Sequence, residues 1–146
     1  MKLLITGAAG QLGTELRRQL AQGGCALGSI PEKLNRATVI ATDVGADGME
    51  ALDITDRHEV MAFVRHHQPD VIVSCAAFTN VDGCETNRDA AFKVNALGAR
   101  NLAMAAEEVD AKLIHVSTDY VFSGAENGGV ALDETAQPGP ISAYGS

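Results

Sequence analysis

At 146 residues the chain is long enough for one domain with a sizeable core, and its 46% apolar and 21% charged residues are those of a globular protein, not a disordered one. It has no run approaching the ~18 consecutive apolar residues of a membrane span. The net charge of -8 excludes a broad basic surface for nucleic acid or anionic membrane, but it leaves room for a nucleotide held by backbone amides at a helix terminus.

Residues 2–5 form a short apolar run that reads as a buried strand. It stops at Ile5 before a glycine-rich turn, too soon for a signal peptide, so the chain is read as cytoplasmic. A helix is predicted over 11–22, with Leu12, Leu16 and Leu20 on one face. Residues 23–37 carry Gly, Pro and mixed charge and read as a loop. A strand over 39–42 ends at Asp43. Asp56, with Glu59 at capping-box spacing, starts a helix running to His67 with Val60, Phe63 and Val64 turned inward, and Pro69-Asp70 stops it. Residues 71–75 are another buried strand. A long helix follows over 88–108, with Phe92, Ala96, Ala99, Ala103 and Ala106 on its packing side. Residues 112–116 are a further strand, and the rest, rich in Gly, Pro and acidic residues, reads as loop. Strands apolar along their whole length, alternating with helices, imply a parallel sheet covered on both faces. The fold class predicted is α/β, a doubly wound parallel sheet of the Rossmann, NAD(P)-binding kind.

The crossover Thr6-Gly7-Ala8-Ala9-Gly10-Gln11-Leu12-Gly13 lies between the first strand and the first helix. A dinucleotide needs a tight turn there, a backbone that can approach the pyrophosphate, and a helix start with free amides. Gly7 suits the turn, Gly10 the close approach and Gly13 the packing of helix on strand, with the amides near Gln11 and Leu12 facing the phosphates. An acidic residue at the end of the second strand is the expected ribose partner, and Asp43 occupies that place. It lies 30 residues after Gly13 instead of the usual ~20, the loop over 23–37 accounting for the excess. A carboxylate there favours NADH, whereas Val44-Gly45 leaves room for the extra phosphate of NADPH, so either cofactor fits. Asp53 and Ile54 are candidates for the adenine pocket.

The three cysteines, Cys25, Cys75 and Cys84, lack metal-type spacing and do not suggest a disulfide framework. Cys75 reads as a small buried hydrophobe and Cys84 as a partly exposed thiol. His66-His67 reads as a solvated pair at a helix C-terminus, His58 as a surface residue and His115 as a core histidine within a strand.

Three segments resemble the dTDP-4-dehydrorhamnose reductases, a family of extended short-chain dehydrogenase/reductases. They are Cys75-Ala76-Ala77-Phe78-Thr79-Asn80-Val81-Asp82, then Val94-Asn95-Ala96-Leu97, and then Ser117-Thr118-Asp119-Tyr120-Val121-Phe122-Ser123-Gly124, followed by Asp133-Glu134, Pro138, Pro140 and Tyr144-Gly145. The resemblance covers essentially the whole chain. It departs from the family at Cys75 and Phe78, where Asn and Tyr are common, and at Gly83-Cys84, where Lys-Ala is.

The resemblance implies reduction of the 4-keto group of dTDP-4-dehydro-L-rhamnose by NADPH or NADH. Tyr144 is then the proton donor and Thr118 the orienting hydroxyl. Cys75, Ala76 and Ala77 lie against the cofactor, Asn95 belongs to the cofactor site and braces the active-site backbone, and Thr79, Asp119 and Tyr120 face the dTDP-sugar. The family's lysine, four positions after the tyrosine, would fall at position 148. Residues 1–146 are therefore expected to be an NAD(P)-binding domain that stops short of the substrate-binding segment and does not turn over alone. Assembly as a homodimer stays open. The regulatory β subunit of methionine adenosyltransferase, an NADP-binding partner protein, resembles the same family. That role, and reduction or epimerisation of another nucleotide sugar, are the alternatives.

Overall fold

The computed structural model describes residues 1–124 and 131–146, so part of the predicted acidic loop lies outside the described residues. Five strands form one parallel sheet: β1 (Lys2–Thr6), β4 (Thr38–Asp43), β5 (Glu50–Ala51), β6 (Val71–Ser74) and β7 (Lys112–His115), in the order β5-β4-β1-β6-β7. The chain leaves β1 towards β4 and β5, then crosses back to β6 and β7. This reversal makes the crevice between β1 and β6 the topological switch point, where open α/β sheets take their ligands.

Each face of the sheet is covered by helix, as the continuous apolar strands require. Leu16 and Leu20 of α1 (Gln11–Gln22) pack over Leu3, Ile5 and Val73. On the opposite face α3 (Arg57–His67) and α6 (Ala99–Glu108) bring Val60, Val64, Leu102, Ala105 and Ala106 onto Leu4, Ile40 and Ile72. Each fully buried aliphatic side chain contributes about 1.5–3 kcal/mol, so these two clusters dominate the stability.

The start of α3 follows from its first residue. Asp56 Oδ1 accepts from the amides of His58 at 2.8 Å and Glu59 at 3.1 Å, satisfying two donors that have no partner within the helix. Asp56→Ala is expected to cost about 1 kcal/mol, read as a lower urea midpoint at unchanged slope. The helix ends at Gln68, which adopts φ 48°, just ahead of Pro69.

Several stretches differ from the sequence reading, which predicted no strand at β5. Residues 23–37 are not a plain loop: Gly24–Cys25 (β2) and Gly28–Ser29 (β3) form a small hairpin, and α2 (Glu32–Asn35) follows. A short helix α4 (Val81–Thr86), capped by Asn80 Oδ1 accepting from Gly83 at 2.8 Å, precedes the long one. The long helix itself is α5 (Arg88–Phe92), a π-helical turn over Lys93–Gly98, and α6.

Its buried side is Ala91, Gly98, Asn101, Leu102, Ala105 and Ala106, so of the predicted packing residues Ala106 is buried and Ala96 and Ala99 are half-buried, while the face is turned by about one position at Phe92 and Ala103. Phe92 and Ala103 are exposed. The inward face carries residues that hydropathy assigns to solvent. Asn101 is buried because its amide donates to the carbonyls of Ile54 at 3.0 Å and Thr55 at 3.3 Å. Gly98 makes room for Ile54, whose Cδ1 would stand 2.6 Å from a Cβ there. Among the described residues, no helix is long and apolar enough to cross a membrane.

Candidate active site

The glycine-rich turn is a close-packed cradle at the switch point. Gly7 has φ 64°, a conformation that L side chains rarely adopt, and a Cβ there would stand 2.4 Å from the amide nitrogen of Ala76, just past β6. Gly13 is pressed on the turn from the helix side, where a Cβ would meet Gly7 O at 2.4 Å. Gly10 is roomier, its nearest neighbour being Gly7 O at 3.2 Å. Helix α1 begins with neither a capping side chain nor an acidic residue in its first turn, and Ala9, Gly10, Gln11 and Leu12 are exposed around that start. An uncapped, exposed helix N-terminus behind a glycine turn is well suited to an anionic diphosphate. Leu12, expected on the packing face with Leu16 and Leu20, is instead 48% exposed beside it.

Asp43 closes the cradle on the β4 side. Its Oδ2 accepts from Ala9 N at 2.9 Å and its Oδ1 from Val44 N at 2.8 Å, so the residue read as a ribose partner also ties the glycine turn to the strand end. Each oxygen retains a lone pair for a further donor. Asp53 is exposed and accepts from Thr55 N at 2.8 Å, whereas Ile54 is 5% exposed and belongs to the core beneath Gly98.

A cleft of about 360 Å³ opens at the carboxyl ends of β6 and β7, and Ala76, Ala77, Asn95, Thr118 and Tyr144 share its wall. Asn95, on the π-helical turn, clamps the backbone of Phe78 with both ends of its amide: Oδ1 accepts from Phe78 N at 2.8 Å and Nδ2 donates to Phe78 O at 3.0 Å. This pair fixes the strand-to-helix connection that carries Ala76 and Ala77. Asn95→Ala strands both backbone groups and is expected to cost about 2 kcal/mol, measured by urea unfolding.

Thr118 caps a 3-10 turn over Asp119–Val121, its Oγ1 accepting from Tyr120 N at 3.2 Å and lying 3.4 Å from Asp119 Oδ1. The rings of Tyr120 and Tyr144 meet edge to face with centroids 5.5 Å apart. Thr79, Asp119 and Tyr120 are exposed residues outside the cleft wall.

Cys75 is partly buried, and burial pushes its thiol up from the ordinary range. Cys84, expected to be partly exposed, is fully buried on the inner side of α4, its Sγ 3.9 Å from Phe78 O. His115 is not in the core. It is exposed at the end of β7, joins the cleft wall, and sets Nδ1 3.2 Å from Ser74 Oγ. His67 is likewise no solvated residue, since it stacks on Phe63 at 4.2 Å and faces Glu50 at 3.3 Å. Arg88 and Ala143 also line the cleft without having been singled out from the sequence. Nothing in local patterning marks them, because their role depends on contacts made across long stretches of chain.

A parallel doubly wound sheet with a glycine cradle at its switch point defines a Rossmann-type domain, and the comparisons with known proteins agree. The whole chain, residues 1–146, matches the family described as the RmlD substrate binding domain, and the chain belongs to that family. It is 41% identical over 143 residues to dTDP-4-dehydrorhamnose reductase of Mycobacterium tuberculosis, covering 94% of this chain and 41% of that protein. Among solved structures, a dTDP-4-dehydrorhamnose reductase of Clostridium acetobutylicum superposes with TM-score 0.83 at 43% identity, covering 99% of this chain and 45% of that one. The enzyme of the same name from Bacillus anthracis, solved in complex with NADP, gives 0.82 at 38%, with 99% and 45% covered. The chain thus spans less than half the length of the relatives it matches.

Proposed function

We propose that this chain is the cofactor-binding and tyrosine-bearing part of an NAD(P)H-dependent reductase that converts dTDP-4-dehydro-L-rhamnose to dTDP-L-rhamnose. Residues 1–146 act as its NAD(P)-binding domain, of the extended short-chain dehydrogenase/reductase type. The observation that carries this reading is that Thr118 and Tyr144, distant in sequence, share one cleft with Ala76, Ala77 and Asn95. That cleft lies on the β6 side of the crevice whose other wall is the Gly7 turn. The NADP in the Bacillus anthracis relative supports the cofactor, and the names of the relatives support the sugar.

In this reading Gly7, Gly10 and Gly13 let the pyrophosphate approach the start of α1, where the amides near Gln11 and Leu12 receive it. Asp43 accepts from the adenosine ribose, and Asp53 stands towards the adenine. Ile54 supports that side from within the core. Cys75, Ala76 and Ala77 offer a small-residue floor, and Asn95 keeps it in place. When bound, the dihydronicotinamide supplies the hydride that goes to C4 of the sugar. Tyr144 donates its phenolic proton to the carbonyl oxygen as the C–O double bond becomes single, and the tyrosinate takes a proton back from water. Thr118 Oγ1 gives the same oxygen a second hydrogen bond while negative charge develops on it. Asp119, Tyr120 and Thr79 stand at the mouth, on the side left for the sugar nucleotide.

The test is oxidation of NADH and of NADPH at saturating dTDP-4-dehydro-L-rhamnose, using protein made from the complete reading frame. Consumption of either cofactor with formation of dTDP-rhamnose is the expected result, and the faster one identifies the coenzyme. Cofactor binding without consumption would refute the reductase in favour of a regulatory role or of another nucleotide sugar.

A further inference from the structure

We propose that Glu85 is a positioning residue for Tyr144, fixing where the phenol stands by holding the backbone amide next to it. This rests on the reductase reading of the same cleft. Ala143 N donates to Glu85 Oε1 at 2.7 Å, a bond that reaches 58 positions back along the chain to helix α4. The other carboxylate oxygen, Oε2, accepts from Arg88 Nη2 at 2.7 Å. The two oxygens are thus divided between the loop and the first residue of α5. These donors, Ala143 first and Arg88 second, hold the Glu85 carboxyl below the usual carboxylate range.

The base from which Glu85 reaches is closely packed. Its neighbour Cys84 is fully buried, and Gly83 lies so close under the Asn80 cap that a Cβ there would stand 2.8 Å from Asn80 Cγ. On the far side the loop is pressed against the turn that carries Thr118. A Cβ at Gly145 would stand 2.1 Å from Tyr120 O, the Tyr120 ring meets that of Tyr144, and Gly139 N donates to Val121 O at 2.9 Å. The tyrosine segment is therefore gripped from two directions. The Tyr120 side holds it against Thr118, and the Glu85 side holds it to the helices that frame the cleft. Without Glu85 the second grip is lost while the tyrosine itself remains.

A proton donor must stand within hydrogen-bond reach of the atom it serves, and a displacement of about 1 Å can cost on the order of 10²-fold in rate. In protein made from the complete reading frame, Glu85→Ala is expected to lower kcat by about 10- to 100-fold, with the Kd for NADPH unchanged. Glu85→Gln, which keeps the acceptor for Ala143, is expected to restore kcat to within about threefold of the parent. In a Tyr144→Phe background Glu85→Ala should cause no additional loss, because two residues acting through one step are not additive. Should the alanine variant not fold, Glu85→Asp, one methylene too short to reach Ala143, gives the same reading.

An active parent with Glu85→Ala within threefold of it would overturn the proposal alone. So would a loss that appears in the cofactor Kd, or one that adds in full to Tyr144→Phe. A parent that turns over no dTDP-4-dehydro-L-rhamnose would overturn the reductase reading, and the proposal with it.

Discussion

Tyr144→Phe, in protein made from the complete reading frame, is expected to lower kcat by about 10²- to 10⁴-fold, the usual contribution of a placed general acid. The substitution removes one oxygen. It leaves the ring that meets Tyr120 edge-on at 5.5 Å, so the fold of the loop and the melting temperature should not change. Cofactor affinity should change only slightly, because the ring stays on the cleft wall it shares with Ala76, Ala77 and Asn95 and the glycine cradle is untouched. A Tyr144→Phe protein with parent-like kcat would remove the tyrosine from the chemistry.

Gly7→Ala is expected to abolish measurable NADPH binding, a loss of at least about 100-fold, and to lower stability as well. Two effects act together. A residue with a Cβ at φ 64° costs about 1–2 kcal/mol in itself. The added carbon would also stand 2.4 Å from Ala76 N, 2.5 Å from Ala76 Cα and 2.7 Å from Cys75 C, all main-chain atoms that cannot rotate aside. Relief requires β1 and the end of β6 to separate, which opens the crevice where the pyrophosphate is to be held. Gly10→Ala provides the contrast. Its nearest protein contact would be 3.2 Å and its φ is not in the left-handed region, so its stability should stay near the parent's, while NADPH affinity should still fall because the added carbon enters the space through which the pyrophosphate approaches. Urea unfolding of the two variants reads the difference. Equal losses of stability at both positions would contradict the strained, close-packed turn described at Gly7.

What the sequence disclosed and what it hid follow the range of the forces involved. Helix α1, the Asp56 cap and the strand cores come from neighbours within one or two turns, and these are legible in periodicity and capping chemistry. The setting of Asp43 was legible only in part. Its place at a strand end is local, but its bond to Ala9 is made across the sheet.

The long helix was mis-phased in part because its inward face includes Gly98 and Asn101, which are buried for close approach and hydrogen bonding. Hydropathy cannot credit a buried amide whose partners are carbonyls of a distant segment. His115 was misplaced for a related reason. A four-residue strand at the sheet edge has the composition of a core strand, yet only pairing order tells which face is open. The Glu85–Ala143 bond left no trace in sequence at all.

The most direct measurement for the central claim is hydride transfer itself. Protein from the complete reading frame, given dTDP-4-dehydro-L-rhamnose and NADPH or NADH carrying deuterium at the transferable position, should yield dTDP-rhamnose with a single deuterium at C4 of the sugar. Cofactor bound and retained, with no deuterium in the sugar, would contradict the account and leave a nucleotide-binding protein that does not reduce this substrate.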